Sequence, residues 1–133
     1  MAAILGLQEN QTVKTLIFST DKEEQILVMV GGNKNVVSGY LKKVVGSRNI
    51  QLASPETVIR ITGYQIGSIP PFSWQPDGFR SFLDHDLMCK TILAVGAGVW
   101  GNEILITPPN LLNASSAVIV NLTNRDLPIY IQN

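Results

Sequence analysis

The chain predicts an α+β fold, a mixed and largely antiparallel sheet with a few helices packed on it. Three observations carry this. Short runs rich in Val, Leu, Ile and Phe recur along the chain and outnumber helical repeats. Strand and helix patterns do not alternate strictly, as a parallel α/β sheet would require. The 133 residues, 45% hydrophobic and 15% charged, suffice for one domain with a single rather apolar core.

The elements follow in order. Val13 to Ser19 and Gln25 to Val30 are apolar runs joined by the polar Asp21-Lys22-Glu23-Glu24, which predicts a hairpin. Gly31-Gly32-Asn33 breaks it. Val36, Val37, Tyr40, Leu41, Val44 and Val45 recur at helical spacing, an amphipathic helix that Gly46 ends. Asn49 to Ala53 reads as a short strand. Ser54-Pro55-Glu56 opens a helix, with serine as N-cap and proline at the first helical position, and Gly63 is the expected stop. Trp74 to Arg80 is turn-rich and expected to be exposed. Strands are expected over Phe82 to Leu87, Thr91 to Val95 and Glu103 to Thr107, then a short Pro108-Pro109 helix over Asn110 to Asn113. Ala117 to Leu122 and Leu127 to Gln132 suggest further strands.

Composition narrows the functional classes. A net charge of zero gives no broad nucleic-acid footprint. No Asp or Glu occurs between Gln25 and Pro55, where Lys34, Lys42, Lys43 and Arg48 fall. Those cations could steer a phosphate backbone locally but are too few for tight non-specific binding, and a solvated helix face explains them better. No apolar run approaches the ~20 residues that span a bilayer, so no membrane partner is expected. The start lacks the basic segment of a signal peptide, and the single Cys89 excludes an internal disulfide. A cytoplasmic location is expected.

Few residues offer conventional chemistry. His85 and Cys89 are single copies without metal-ligand or triad spacing around them. Gly96-Ala97-Gly98-Val99-Trp100-Gly101 matches the dinucleotide pattern GxGxxG, but Ile104-Leu105-Ile106 and two prolines follow where a helix would have to start. Without that helix the pyrophosphate has no N-terminus to bind. The segment reads as a glycine-rich β turn.

Thr62-Gly63-Tyr64-Gln65-Ile66-Gly67-Ser68-Ile69-Pro70-Pro71-Phe72 is more telling. Its glycines permit positive φ or close approach, and its prolines lock φ, so the backbone is irregular yet rigid. On spacing alone it could equally be an ordinary connection. Upstream stands Lys14-Thr15-Leu16 at a strand entry. Lys14-Thr15-Leu16, the TGYxxGxxPP loop from Thr62 to Pro71, Ala97-Gly98 through Gly101 and Ile104, and Pro108 to Leu112 occur in this order. This ordered set resembles the YbaK/prolyl-tRNA-synthetase-associated family, whose members hydrolyse mischarged aminoacyl-tRNA. The resemblance covers roughly residues 2 to 122.

The resemblance implies a mixed, curved sheet with helices outside it, and a freestanding deacylase that clears a small amino acid, such as Cys-tRNA(Pro), in trans. It implies neither metal nor cofactor. Aminoacyl esters are intrinsically reactive, and the ribose hydroxyl of the terminal adenosine can help activate water. Positioning and oxyanion stabilisation by backbone amides then remain for the protein. Matched by position, Lys14 is the family's essential lysine and contacts the phosphate or ribose side of that adenosine. Gly67 orients the ester carbonyl through its backbone. Thr62, Gly63, Tyr64, Ser68, Pro70, Gly98 and Glu103 fall on substrate-binding positions. From the residues alone, the preferred readings are Lys14 as an edge-strand charge, Gly67 as a turn glycine and Glu103 as an exposed strand residue. The implied partners are the 3′ acceptor end of aminoacyl-tRNA and an aminoacyl-tRNA synthetase. A degenerate member that binds either without hydrolysis is the rival reading, and a plain folded remnant is the third.

Two features depart from the family. Ser73 stands where a glycine commonly follows Pro-Pro-Phe, with the bulky Trp74 beside it. Ala2 to Gly6 matches the end of a helix that members reach only after a first strand and most of that helix. The 1–133 domain is therefore expected to lack those elements, leaving hairpin surface for self-association or for a longer chain to cover.

Overall fold

The computed structural model describes residues 11–131. Its centre is the antiparallel hairpin of β1 (Val13–Thr20) and β2 (Gln25–Gly31), in register from Val13 opposite Gly31 to Ser19 opposite Gln25. The remaining strands are β3 (Ile50–Leu52), β4 (Ser81–Asp84), β5 (Leu93–Gly96), β6 (Glu103–Ile106) and β7 (Val118–Val120). Five form one sheet in the order β3-β1-β2-β4-β7, while β5 and β6 pair separately. β3 joins β1 antiparallel, whereas β4 and β7 add in parallel. Parallel neighbours need long crossovers, and the helices supply them. These are α1 (Ser38–Val45), α2 (Pro55–Thr62) and α3 (Pro108–Ser115). The fold is thus α+β with a mixed sheet.

Alternation along the central strands divides the core into two layers. Ile17, Leu27, Met29 and Leu83 face one way and meet Ile69, Leu93, Val95 and Leu111. Ile26, Val28, Val30, Phe82 and Val120 face the other and meet Leu41 and Val45 of α1. Ile26 to Val30 are wholly buried, so β2 is covered on both faces. The expectation about the chain's start falls on residues 1–10, outside the described residues.

The local signals act as their chemistry dictates. The Ser54 hydroxyl accepts from the Thr57 N–H at 3.2 Å, Pro55 opens α2, and Gly63 ends it at φ 82°. α1 closes on Gly46 at φ 78°, with Lys42 and Lys43 in its last turn, where cations suit the helix dipole.

Several expectations need correction. α1 begins at Ser38 because the Val37 N–H donates to the Leu122 carbonyl at 2.7 Å, which holds Val36 and Val37 in an extended lead-in. β4 stops at Asp84, where its parallel neighbours run out, and a 3-10 helix takes over from His85 to Cys89. No strand forms over residues 127–131. There the buried Asn121 amide donates to the carbonyls of Asn124, Leu127 and Pro128 at 2.8, 3.0 and 3.1 Å, coiling the segment into a loop. The segment from Trp74 to Arg80 is turn-rich but only partly exposed. Trp74 and Phe79 stack edge-to-face, centroids 5.0 Å apart, and pack against the core.

Candidate functional site

A cavity of about 360 Å³ lies along Thr12 and the Val13–Leu16 start of β1, bounded by Gly32, by Ile66, Gly67 and Ile69, and by Gly96 at the end of β5. Strand entry, glycine/proline loop and glycine-rich hairpin therefore converge at one place. Lys14 and Gly67, 53 positions apart in the chain, share its lining.

The loop owes its shape to internal bonds. The buried Thr62 hydroxyl donates to the Val58 carbonyl at 2.7 Å and accepts from the Tyr64 N–H at 3.0 Å, carrying the helix end over into the loop. Gly63 adopts the left-handed conformation in between. The Ser68 hydroxyl donates to the Gln65 carbonyl at 2.8 Å. The Pro70 carbonyl accepts from the Trp74 indole at 2.6 Å. Gly67, at φ 90°, stands where a side chain is strained. Its N–H makes no hydrogen bond with any described residue.

The glycine-rich segment turns from β5 directly into β6, so the glycines open a strand and not a helix. Two of its glycines serve close packing. A β-carbon on Gly96 would stand 2.7 Å from the Ile69 carbonyl oxygen, and one on Gly98 would stand 2.8 Å from the Tyr64 ring. The Gly98 N–H donates to the Ser68 carbonyl at 2.8 Å, which pins hairpin to loop.

Of the nine residues singled out from sequence, Lys14 and Gly67 line the cavity, while Thr62, Gly63, Tyr64, Ser68, Pro70 and Gly98 build the wall behind it. Glu103 lies on β6 opposite Gly96, half-buried, with Oε1 buried and without a partner among the described residues. The Lys14 ammonium donates to the Lys34 carbonyl at 2.6 Å. Lys14 and Leu16 also border a second, more apolar cavity of about 420 Å³ between β1, β3 and α1.

Two residues of the site went unnoticed in the sequence. Thr15, the middle of Lys14-Thr15-Leu16, lines the cavity with its hydroxyl buried and unpartnered among the described residues. Trp100 carries no role in the sequence reading beyond its place in the Ala97–Gly101 segment, yet its indole nitrogen lies 3.3 Å from where a β-carbon on Gly67 would stand.

The conventional side chains gather elsewhere. A polar cleft of about 540 Å³ holds Lys34, His85, Asp86, Asn121 and the Thr123–Leu127 segment. Beside it the buried Asp84 accepts from the Leu122 N–H and the Thr123 hydroxyl, each at 2.7 Å. Burial pushes its carboxyl above the ordinary value in spite of these donors. Cys89 is exposed at the end of the 3-10 helix. Among the described residues, no three His, Cys, Asp or Glu side chains cluster where they could hold a metal ion. No helix of the described residues is long and apolar enough to cross a membrane.

The family model for the aminoacyl-tRNA editing domain matches residues 1–114. The chain belongs to this family. The editing domain is 33% identical to a proline–tRNA ligase of Maridesulfovibrio salexigens over 93 residues, which are 70% of this chain and 16% of the ligase. It spans only 16–17% of the length of such ligases. A candidate Cys-tRNA(Pro)/Cys-tRNA(Cys) deacylase of Enterococcus faecalis is 21% identical over 126 residues, covering 95% of this chain and 76% of that protein. A crystal structure described as a candidate trans-editing enzyme for prolyl-tRNA synthetase superposes with a TM-score of 0.85 at 28% identity. It covers 92% of this chain and 76% of that one.

Proposed function

We propose that this editing domain is a trans-acting deacylase that hydrolyses the ester of a mischarged aminoacyl-tRNA carrying a small amino acid, with Cys-tRNA(Pro) as the first substrate to test. The observation that carries this reading is the cavity shared by Lys14 and Gly67. Its volume of about 360 Å³ equals that of roughly twelve waters at ~30 Å³ each, room for a small aminoacyl ester and part of its ribose.

In this reading the Lys14 ammonium exchanges the Lys34 carbonyl for the phosphate or ribose side of the terminal adenosine. The Gly67 N–H, which needs no internal bond, orients the ester carbonyl and stabilises the oxyanion as water adds. The free ribose hydroxyl helps take the water proton. The acyl C–O bond then breaks, releasing the amino acid and a tRNA whose 3′ oxygen regains its proton. The chemistry uses no metal or cofactor. The region's occurrence inside proline–tRNA ligases supports acceptor-end binding, and a synthetase is the protein partner we propose.

A deacylation panel over several mischarged tRNAs tests this. Hydrolysis of one or more at rates well above the uncatalysed ester is expected, with chelator making no difference. Tight binding of aminoacyl-tRNA without any turnover would leave only a binding module.

A further inference from the structure

Trp100 is 75% exposed, at the tip of the hairpin between β5 and β6, although indoles carry large apolar surface that folding normally covers. Its neighbour Val99 is exposed as well, and Ile66, which lines the cavity, is half-exposed. The cavity therefore opens to solvent beside an apolar rim. Trp100 does not hang there freely. The Gly98 N–H bond to Ser68, the Asn102 N–H bond to the Val99 carbonyl at 3.1 Å, and the contact of Gly98 with the Tyr64 ring fix the turn against the loop. The absent β-carbon of Gly67 leaves the space into which the Trp100 indole nitrogen fits. That indole N–H has no hydrogen-bond partner among the described residues.

We propose that Trp100 is the platform on which the terminal nucleobase of the aminoacylated 3′ end stacks, holding the ester over Gly67. The inference rests on the deacylase reading, because an ester bound at Gly67 carries its ribose and base outward past this rim. A base needs a flat apolar partner, and indole offers the largest such face among side chains. Ile66, the exposed side chain of the cavity lining nearest Gly67 in the chain, is aliphatic and offers no such face. Trp100 touches the base and takes no part in proton transfer, so it acts on substrate affinity.

The experiment compares two stable ligands, 3′-alanylamino-3′-deoxyadenosine and its abasic counterpart, titrated into the full chain and into Trp100→Phe and Trp100→Ala. Wild type should favour the adenosine form by about tenfold, a usual scale for one stacked base. Trp100→Phe should retain most of that preference and Trp100→Ala should abolish it, with unchanged melting temperature. A preference that survives in Trp100→Ala, or an equal affinity of wild type for both ligands, overturns the inference. Deacylation of mischarged tRNA by the same wild-type preparation separates the two readings. Turnover without a base preference removes the platform alone, whereas a Trp100-dependent preference without turnover keeps the platform and removes the hydrolase.

Discussion

Two concave regions of this molecule contrast sharply. The polar cleft beside Asp84 gathers the residues usually sought in a hydrolase, including the single histidine, an aspartate and a set of amides. The cavity beside Gly67 offers one lysine, two threonines, three glycines and aliphatic walls. Yet the amide and carboxylate groups at the cleft are engaged in holding structure together. Asn121 coils the C-terminal loop, and Asp84 ties the end of β4 to the residues after β7. In the cavity, the Gly67 N–H and the Thr15 hydroxyl have no partners among the described residues. A ligand site is marked by what the fold leaves unpaired, more than by which side chains it gathers.

The comparison breaks first at Gly67. Gly67→Ala puts a β-carbon at positive φ and 3.3 Å from the Trp100 indole nitrogen, disturbing the amide that faces the ester in our reading. Losing one oxyanion donor lowers kcat by roughly 10²–10³-fold. Affinity for a non-hydrolysable aminoacyl analogue should fall much less. Equal losses would make the loop a binding wall, with no special action on the transition state.

The cleft should respond in stability. Asp84→Ala leaves the buried Leu122 N–H without its acceptor, a cost of about 1–3 kcal/mol, read as a lower melting temperature with turnover retained. The pH dependence sharpens this. Asp84 has a raised folded pKa, so the native state holds its proton more tightly than the unfolded chain does. Its contribution is complete below the ordinary value of 3.8 and is lost as pH rises through the raised value. Asp84→Asn should flatten that part of the melting profile. A profile identical to wild type would mean that Asp84 does not titrate as its burial implies.

A smaller effect belongs to Ser73, which sits at φ 78°, a conformation that favours glycine. Relieving a left-handed non-glycine costs nothing in contacts the loop needs, so Ser73→Gly should stabilise by at most about 1 kcal/mol. Thermal unfolding checks it, and a lower melting temperature would show that the serine contributes something its backbone strain conceals.

Much of this was legible in the residues. Ser54 and Gly63 bracket α2 through local chemistry, and the hairpin follows from two apolar runs with a polar turn. The rejected dinucleotide motif was legible too, because Ile104 to Pro109 leaves no place for its helix. What escaped depends on distant partners. Leu127 to Ile131 looks like a strand until Asn121 collects its carbonyls, and Val36 and Val37 look helical until Leu122 tethers Val37. Lys14 and Gly67 stood out through resemblance. Thr15 and Trp100 did not, since an unpartnered hydroxyl and an indole beside a glycine exist only once the chain has folded.

The most direct test sets the two regions against each other in one assay. Deacylation of Cys-tRNA(Pro) would be measured for wild type, for Lys14→Ala, and for a His85→Ala, Cys89→Ala double variant, each with and without chelator. The account predicts a loss of about 10²-fold or more in Lys14→Ala at an unchanged melting temperature, with the double variant and every chelator-treated sample within about twofold of wild type. Full activity in Lys14→Ala, or its loss in the double variant or with chelator, would place the chemistry outside the Gly67 cavity and contradict the account.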